Sequence, residues 1–353
     1  MQLRLASDAD EPAWSALLAS SSSGDFLHDW AWADVAAFDG QPQRRYVLEQ
    51  NGAIVAIAAA QARPIFGGRE FWYVPHGPVL DYGDPQAGER IRALALGLRE
   101  MARQRRAIAV KLEPRLEGED PAFGAFHRRG MRRTGESLQV AHTRIVELID
   151  DDDELLAGFD KDTRYSVRRA EREGVEVSLL EDASDRRPID DLHALVAETQ
   201  RRAGFPLPPL ERYRVAWHAL GGAGRAAIVE ARHEDELLAS GMVVLEGKRS
   251  FYLFSGSRRE ERGEPKRYAS YALQWAMMRY ARSRGSRHHD LWGVAPPDAG
   301  PKHPWHGVGL FKKGFGGREV QWAGSWDLVV DPAVYRLRAA TSIARGWLRT
   351  FRR

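Results

Sequence analysis

Cysteine is absent from this chain. Its absence excludes disulfides, a thiolate metal site and a cysteine nucleophile, and it fits a reducing compartment. No run of 18 apolar residues occurs, so no segment reads as a membrane-spanning helix. The opening residues, MQLRLASDADEPAW, lack the apolar h-region of a signal peptide, and a cytoplasmic location is the expectation. No G-x-S-x-G elbow is present, which argues against a serine hydrolase. Neither sign of charge dominates: 52 Lys+Arg stand against 49 Asp+Glu, a net charge of +3. Any anion site must therefore come from local clustering. Arginine and alanine are used heavily and lysine rarely, so adjacent lysines stand out.

What is present is ample material for a core. The chain has 353 residues, 43% of them hydrophobic, a length that suggests two domains. Helices read at Glu11–Ser20 and Trp30–Phe38, strands at Tyr46–Glu49 and Ala53–Arg63 around Asn51-Gly52, and a strand at Glu70–Leu80. A helix at Glu89–Arg105, a strand at Ile108–Leu112 and a helix at Phe123–Arg129 follow. The second half repeats this order: strand Val175–Leu180, helices Ile189–Ala203 and Glu211–Leu220, strands Ala226–Ala231, Leu237–Glu246 and Ser250–Phe254, helix Tyr268–Arg284, strands Asp290–Trp292 and Glu319–Leu328. REFWYVPHGP from Arg69 resembles RSFYLFSGS from Arg249, and AFHRRGM from Ala125 resembles LFKKGFG from Leu310. We read two copies of one mixed α/β unit, with the element order of N-acetyltransferase-like domains. The expected fold class is α/β with mixed α+β sheets. Domains are expected at 1–148 and 149–330, joined near ELIDDDDELLAGF, with 331–353 completing the first. The acids Asp150–Asp153 suit a helix start, where the helix dipole favours anions.

An acetyl-CoA site in such a unit needs a glycine-rich loop after the fourth strand, of the pattern [RQ]-x-x-G-x-[GA], to hold the pyrophosphate on backbone N–H groups. The segment RREERGEPKRYAS offers no such spacing from Arg258 or Arg259, and Glu260, Glu261 and Glu264 would repel the phosphates. Acetyl-CoA is therefore disfavoured as donor. KDTRYSVRRAEREGVEV carries Lys161, Arg164, Arg168, Arg169 and Arg172 within twelve residues, with Arg164, Arg168 and Arg172 on one helix face. Two readings stay open, an exposed salt-laced helix or a phosphate grip beside a cleft. His288, His289, Asp290, His303 and His306 match no standard metal spacing, so no metal is expected. From Ala333 the tail is amphipathic, with Val334, Leu337, Thr341, Ala344, Leu348 and Phe351 in one stripe and six arginines after Asp331. It reads either as a helix packed on the first domain or as a contact for lipid headgroups or RNA phosphate.

KDTRYSVRRAEREGVEV, HHDLWGV and LFKKGFGG occur in one order with FLHDWAWADV from Phe26, YVPHGPVLD from Tyr73, ETQRRAGF from Glu198 and YASYALQWAMMRYA from Tyr268. On these stretches the sequence resembles the FemABX family of peptidoglycan bridge-forming aminoacyltransferases. The resemblance implies two N-acetyltransferase-like domains, aminoacyl-tRNA as co-substrate, and no cofactor. It implies as acceptor the side-chain amine of the stem peptide of a peptidoglycan precursor, lipid-linked or UDP-linked. Peripheral contact with the inner face of the membrane and a monomeric protein are further expectations. Phe311 and Lys312 fall at the expected reaction centre and Tyr268 at a substrate-contacting helix start. Tyr213, Arg164, Arg168, Trp292, Gly314 and Gly316 are the further candidate substrate-binding positions. Lys312 is expected to face the oxyanion that forms on the ester carbonyl, with Lys313 a solvated neighbour and Asp290 a candidate polar partner. Two positions depart from the family pattern: Ala36 stands where a diphosphate-binding lysine is usual, and Pro209 where an arginine is usual. Two other functions stay open: an acyltransferase of this double fold using another donor on a polysaccharide or protein acceptor, and a non-catalytic tRNA- or precursor-binding protein.

Overall fold

The Asn-Gly pair at 51–52 takes positive φ at both residues, 51° and 80°, the backbone that a two-residue type I′ hairpin requires. The computed structural model describes residues 1–118, 124, 126, 131–134, 137–203, 206–258 and 265–338. Their strands are β1 (Gln2–Leu5), β2 (Gln43–Gln50), β3 (Ala53–Ile65), β4 (Arg69–Val74), β5 (Val79–Leu80), β6 (Ala107–Leu112), β7 (Arg132–Thr134) and β8 (His142–Glu147), then β9 (Val175–Leu180), β10 (Ala226–His233), β11 (Glu236–Glu246), β12 (Arg249–Ser257), β13 (His288–Gly293), β14 (Arg318–Gln321) and β15 (Ser325–Val329). They fall into two units, Met1–Gln139 with the segment from Trp322, and Val140–Gln321.

The first unit is built on a sheet of order β1-β2-β3-β4-β6-β15-β7, with β5 pairing β3. β3 reads AIVAIAAAQARPI, almost continuously apolar, because both of its faces are covered. Ala56, Ala58 and Ala60 pack with Trp72 and with Leu94 and Leu98 of the helix Ala87–Gln104. The alternate residues Ile57 and Ala59 pack with Trp14 and Leu18 of the helix Glu11–Ser20. The segment Glu70–Leu80, expected as one strand, is two: β4 stops at Val74, His76 turns the chain with φ 44°, and β5 returns to β3. Residues 332–338 are helical, and Val334 and Tyr335 pack on Phe71, Ile108 and Ala109. Arg69 pairs with Asp331 at 2.6 Å and Arg338 lies 4.1 Å over the Phe71 ring, so this part of the tail packs on the first unit. The helix expected at 123–129 and the tail from 339 lie outside the described residues.

The second unit has a sheet of order β14-β8-β13-β12-β11-β10-β9. The helix Ala269–Ser283 lays Leu273, Met277 and Ala281 into a core with Val229, Val243 and Leu245. The helix Arg187–Ala203 packs on β12 so closely that a Cβ on Gly256 would overlap the backbone of Leu195 and Val196. The acid run does start a helix: the Asp151 carboxylate accepts from the Glu154 N–H at 2.9 Å, capping Asp152–Ala157.

The two sheets share one plan, with four antiparallel strands, a parallel pair and two further strands. In each, the last-but-one strand comes from the other half of the sequence. β8 follows the first copy but pairs with β13 and β14. β15 follows the second copy but pairs with β6 and β7. The sequence places the domain boundaries at 148/149 and 330/331; strand pairing places them at 139/140 and 321/322. The expected single strand Glu319–Leu328 divides accordingly into β14 and β15, in different sheets. Trp326 and Leu328 on β15 are both 1% exposed, within the first core. Truncation after Gln321 should therefore unfold the first unit and leave the second protected. Hydrogen exchange of the truncated chain, read unit by unit, checks this.

Candidate active site

The two copies differ at their parallel pair. In the first unit, β4 and β6 stay paired to the strand ends, through Val74–Leu112. In the second, β12 and β13 pair at three positions, Arg249–His288, Ser250–His289 and Phe251–Asp290, and then part. The parting coincides with a bulge. Against β11, Val243 faces Tyr252 and Met242 faces Phe254, so Leu253 is an extra residue on β12. A bulge bends its strand and raises the local twist, drawing β12 away from β13. The second unit therefore has an open sheet where the first is closed.

Lys312 belongs to that opening. It lies near the end of the helix His306–Gly314, is 6% exposed, and donates from Nζ to the Gly293 carbonyl at the end of β13 at 2.7 Å. The ammonium lies 5.8 Å from the ring centroid of Tyr252 on β12, so both parted strands flank it. Burial lowers the Lys312 pKa to about 8, while the nearby Asp290 charge opposes the fall. Asp290 is itself held, accepting from the Trp292 N–H at 2.8 Å and from the Thr143 hydroxyl. Trp292 has φ 61° and sets its ring edge-on to Phe251, 6.0 Å away. Burial also pushes the Tyr252 hydroxyl up to about 12, so that group stays protonated at neutral pH.

A lysine whose folded-state pKa lies below its unfolded value is proton-poorer in the native state. It therefore lowers stability, fully so below about pH 8, and the penalty fades as pH rises from about 8 towards 10.5. Replacing Lys312 with Met removes a penalty of ~3 kcal/mol and strands the Gly293 carbonyl, at a cost of ~1–2 kcal/mol. Lys312→Met should therefore be more stable than wild type by ~1–2 kcal/mol at pH 7, and the advantage should be gone by pH 10, where most of the penalty has faded. Urea unfolding at the two pH values measures it.

The other candidates distribute unevenly. Phe311 packs its ring 5.1 Å from both Tyr271 and Phe315. Tyr268 caps the helix Ala269–Ser283 in the left-handed region, φ 57°, and meets Tyr165 at 6.1 Å and Tyr271 at 6.3 Å. Lys313 is exposed. Arg164 is tied to backbone, donating to the carbonyls of Ala157 and Phe159, whereas Arg168 is exposed. Tyr213 is a core residue, 2% exposed, its ring tilted against Phe254 at 4.2 Å beside His193. Trp275 packs edge-on to Phe159 and Trp305 is 39% exposed. Ala36 is 2% exposed within the helix Trp32–Phe38, and Pro209 caps the helix Leu210–Gly222. His289 is fully buried; burial drops its pKa to about 3, and its ring nitrogens meet Ser250 Oγ at 2.8 Å and Gln274 Nε2 at 2.7 Å.

Gly314 and Gly316 are the glycines among the candidate substrate-binding positions. The structure shows what their lack of a side chain permits. A Cβ on Gly314 would overlap the Thr163 hydroxyl, and one on Gly316 the Gly158 carbonyl. Gly314 also accepts from the Asp160 N–H at 2.8 Å. These glycines clamp the Lys312 helix onto the start of the helix Lys161–Arg172. Sequence reasoning missed Tyr252, Tyr271, Gly293 and the bulge at Leu253. Of these, Tyr271 alone carried a local signal, its i+3 spacing from Tyr268.

Two like sheets, each with four antiparallel strands leading into a parallel pair, define a tandem N-acetyltransferase-like fold, and the parted pair with Lys312 beside it puts the candidate site in the second copy. The chain belongs to the FemAB family, which it matches over residues 14–120 and 224–342. It is similar to a lipid II:glycine glycyltransferase of Staphylococcus aureus (strain MRSA252), 24% identical over 400 residues that cover 91% of this chain and 92% of the relative. The crystal structure of FemX superposes with a TM-score of 0.85 at 21% identity, covering 96% of this chain and 99% of that one. A tandem GNAT protein from the clavulanic acid biosynthesis pathway superposes with a TM-score of 0.52 at 16% identity, covering 94% and 99%.

Proposed function

We propose that this protein is an aminoacyltransferase that moves an amino acid from aminoacyl-tRNA to the side-chain amine of the stem peptide of a peptidoglycan precursor. The observation that carries the reading is Lys312, a buried lysine between parted strands, in a chain of the FemAB family. The similarity to a lipid II:glycine glycyltransferase supports the acceptor class.

The residues suit the chemistry. The acceptor amine loses its proton and its nitrogen attacks the ester carbonyl carbon. The carbonyl oxygen gains negative charge, and a Lys312 pKa of about 8 leaves the ammonium mostly protonated at neutral pH to face it. Collapse breaks the ester C–O bond, forms the amide, and passes the amine proton to the departing ribose hydroxyl. The ester is already activated, so positioning of two large substrates supplies much of the remaining acceleration. Incubation with radiolabelled aminoacyl-tRNA and a lipid-linked or UDP-linked precursor tests the reading. Label in the precursor supports it. No transfer from any charged tRNA, with activity on an acyl-CoA, would replace it with another acyl transfer.

A further inference from the structure

We propose that the exposed face of the helix Lys161–Arg172 docks the RNA backbone of the donor. The unpaired 3′ end then follows an aromatic row from that face to Lys312. The inference rests on the aminoacyl-tRNA reading for its biological meaning, but its test does not require turnover.

Three observations carry it. First, a groove on this helix is lined by Lys161, Arg164, Tyr165, Arg168, Glu171 and Arg172. Lys161, Arg168 and Arg172 are exposed and, among the described residues, have no acidic partner, whereas the neighbouring Arg169 and Arg267 are both paired with Glu173. Glu171 offsets part of the charge; the remaining cations suit phosphodiesters. Second, Tyr165 stands 50% exposed among them. Its ring meets Tyr268 at 6.1 Å, Tyr268 meets Tyr271 at 6.3 Å, and Tyr271 meets Phe311 at 5.1 Å, next in sequence to Lys312. Single-stranded RNA is bound by bases stacking on aromatic rings beside a basic track. Third, the track and the lysine are rigidly joined. The Asp160 N–H donates to the Gly314 carbonyl, and Gly314 has no room for a side chain against Thr163. The helix exposes no large aliphatic side chain, and a membrane surface would make no use of an aromatic row leading inward, so RNA fits better than lipid.

The experiment is binding of uncharged tRNA by fluorescence anisotropy over a salt series. The proteins are wild type, the double variant Arg168→Glu/Arg172→Glu, and Tyr165→Ala. Unchanged thermal melts confirm that the exposed substitutions fold. The double variant is expected to bind at least tenfold more weakly, with a salt slope smaller by about 1.5. Tyr165→Ala is expected to lose about tenfold. A double variant that binds tRNA like wild type overturns the surface assignment, even if the enzyme transfers amino acids from tRNA. Loss of tRNA binding by the double variant in a protein that uses no charged tRNA upholds the surface and removes the donor reading instead. If wild type binds no tRNA, or the double variant loses binding only to vesicles of equimolar phosphatidylglycerol and phosphatidylcholine, the RNA assignment falls.

Discussion

Lys312→Ala should lower kcat for amino-acid transfer by about 10²–10³-fold, the usual effect of removing one well-placed donor from a developing oxyanion. The pH profile sharpens this. The acceptor amine, with an ordinary pKa near 10.4, supplies more free base as pH rises. Lys312, with a pKa of about 8, loses its charge over part of the same range. In wild type log kcat/KM should therefore climb to about pH 8 and level there, whereas in Lys312→Ala the climb should continue. Lys312→Arg keeps a cation that does not lose its proton in this range, and should retain at least tenfold more activity than the alanine variant with no levelling at pH 8. An arginine variant as inactive as alanine would exclude a purely electrostatic role.

Gly317→Ala should destabilise the second unit by ~3 kcal/mol or more. Its φ is +69°, where a side chain is strained, and a Cβ there would overlap the Ile145 carbonyl on β8. For a unit of this size the melting transition should fall by about 10 °C. Gly307 is the contrast: it sits inside the helix His306–Gly314, and a Cβ there would meet nothing within 4 Å. Gly307→Ala should stabilise by ~0.5–1 kcal/mol, because glycine gives up more backbone freedom in a helix. Calorimetry of the two variants separates glycines that the packing demands from those it tolerates.

Much of the fold is legible in the sequence because its signals are local. Asn51-Gly52, the helix Glu11–Ser20, the strand Val175–Leu180 and the acid-capped helix after Asp151 all carry their own turn, cap or periodicity. The Lys312-Lys313 pair stands out as adjacent rare lysines in the second copy of a repeated motif, and the choice of Lys312 between them comes from the family resemblance. What escapes is what depends on partners. Nothing in HTRIVE marks β8 as pairing with β13 rather than β6, and nothing in RSFYLFSGS marks Leu253 as the residue left over. The glycines show the same limit. The sequence singles out Gly314 and Gly316 as substrate-binding candidates, and the structure places Thr163 and Gly158 in the space a Cβ would take. Arg164 and Arg168 look alike in sequence; one is spent on carbonyls and the other faces water.

The exchange of β8 and β15 inverts the usual order of assembly on the ribosome. Domains generally form as units, the N-terminal one first, while synthesis continues. Here every strand of the second sheet has been made by Gln321. The first sheet, begun at Gln2, still has a slot between β6 and β7 that only Ser325–Val329 fills. The half of the protein that emerges first is therefore the half that closes last, and it does so after the half carrying Lys312 has all its strands.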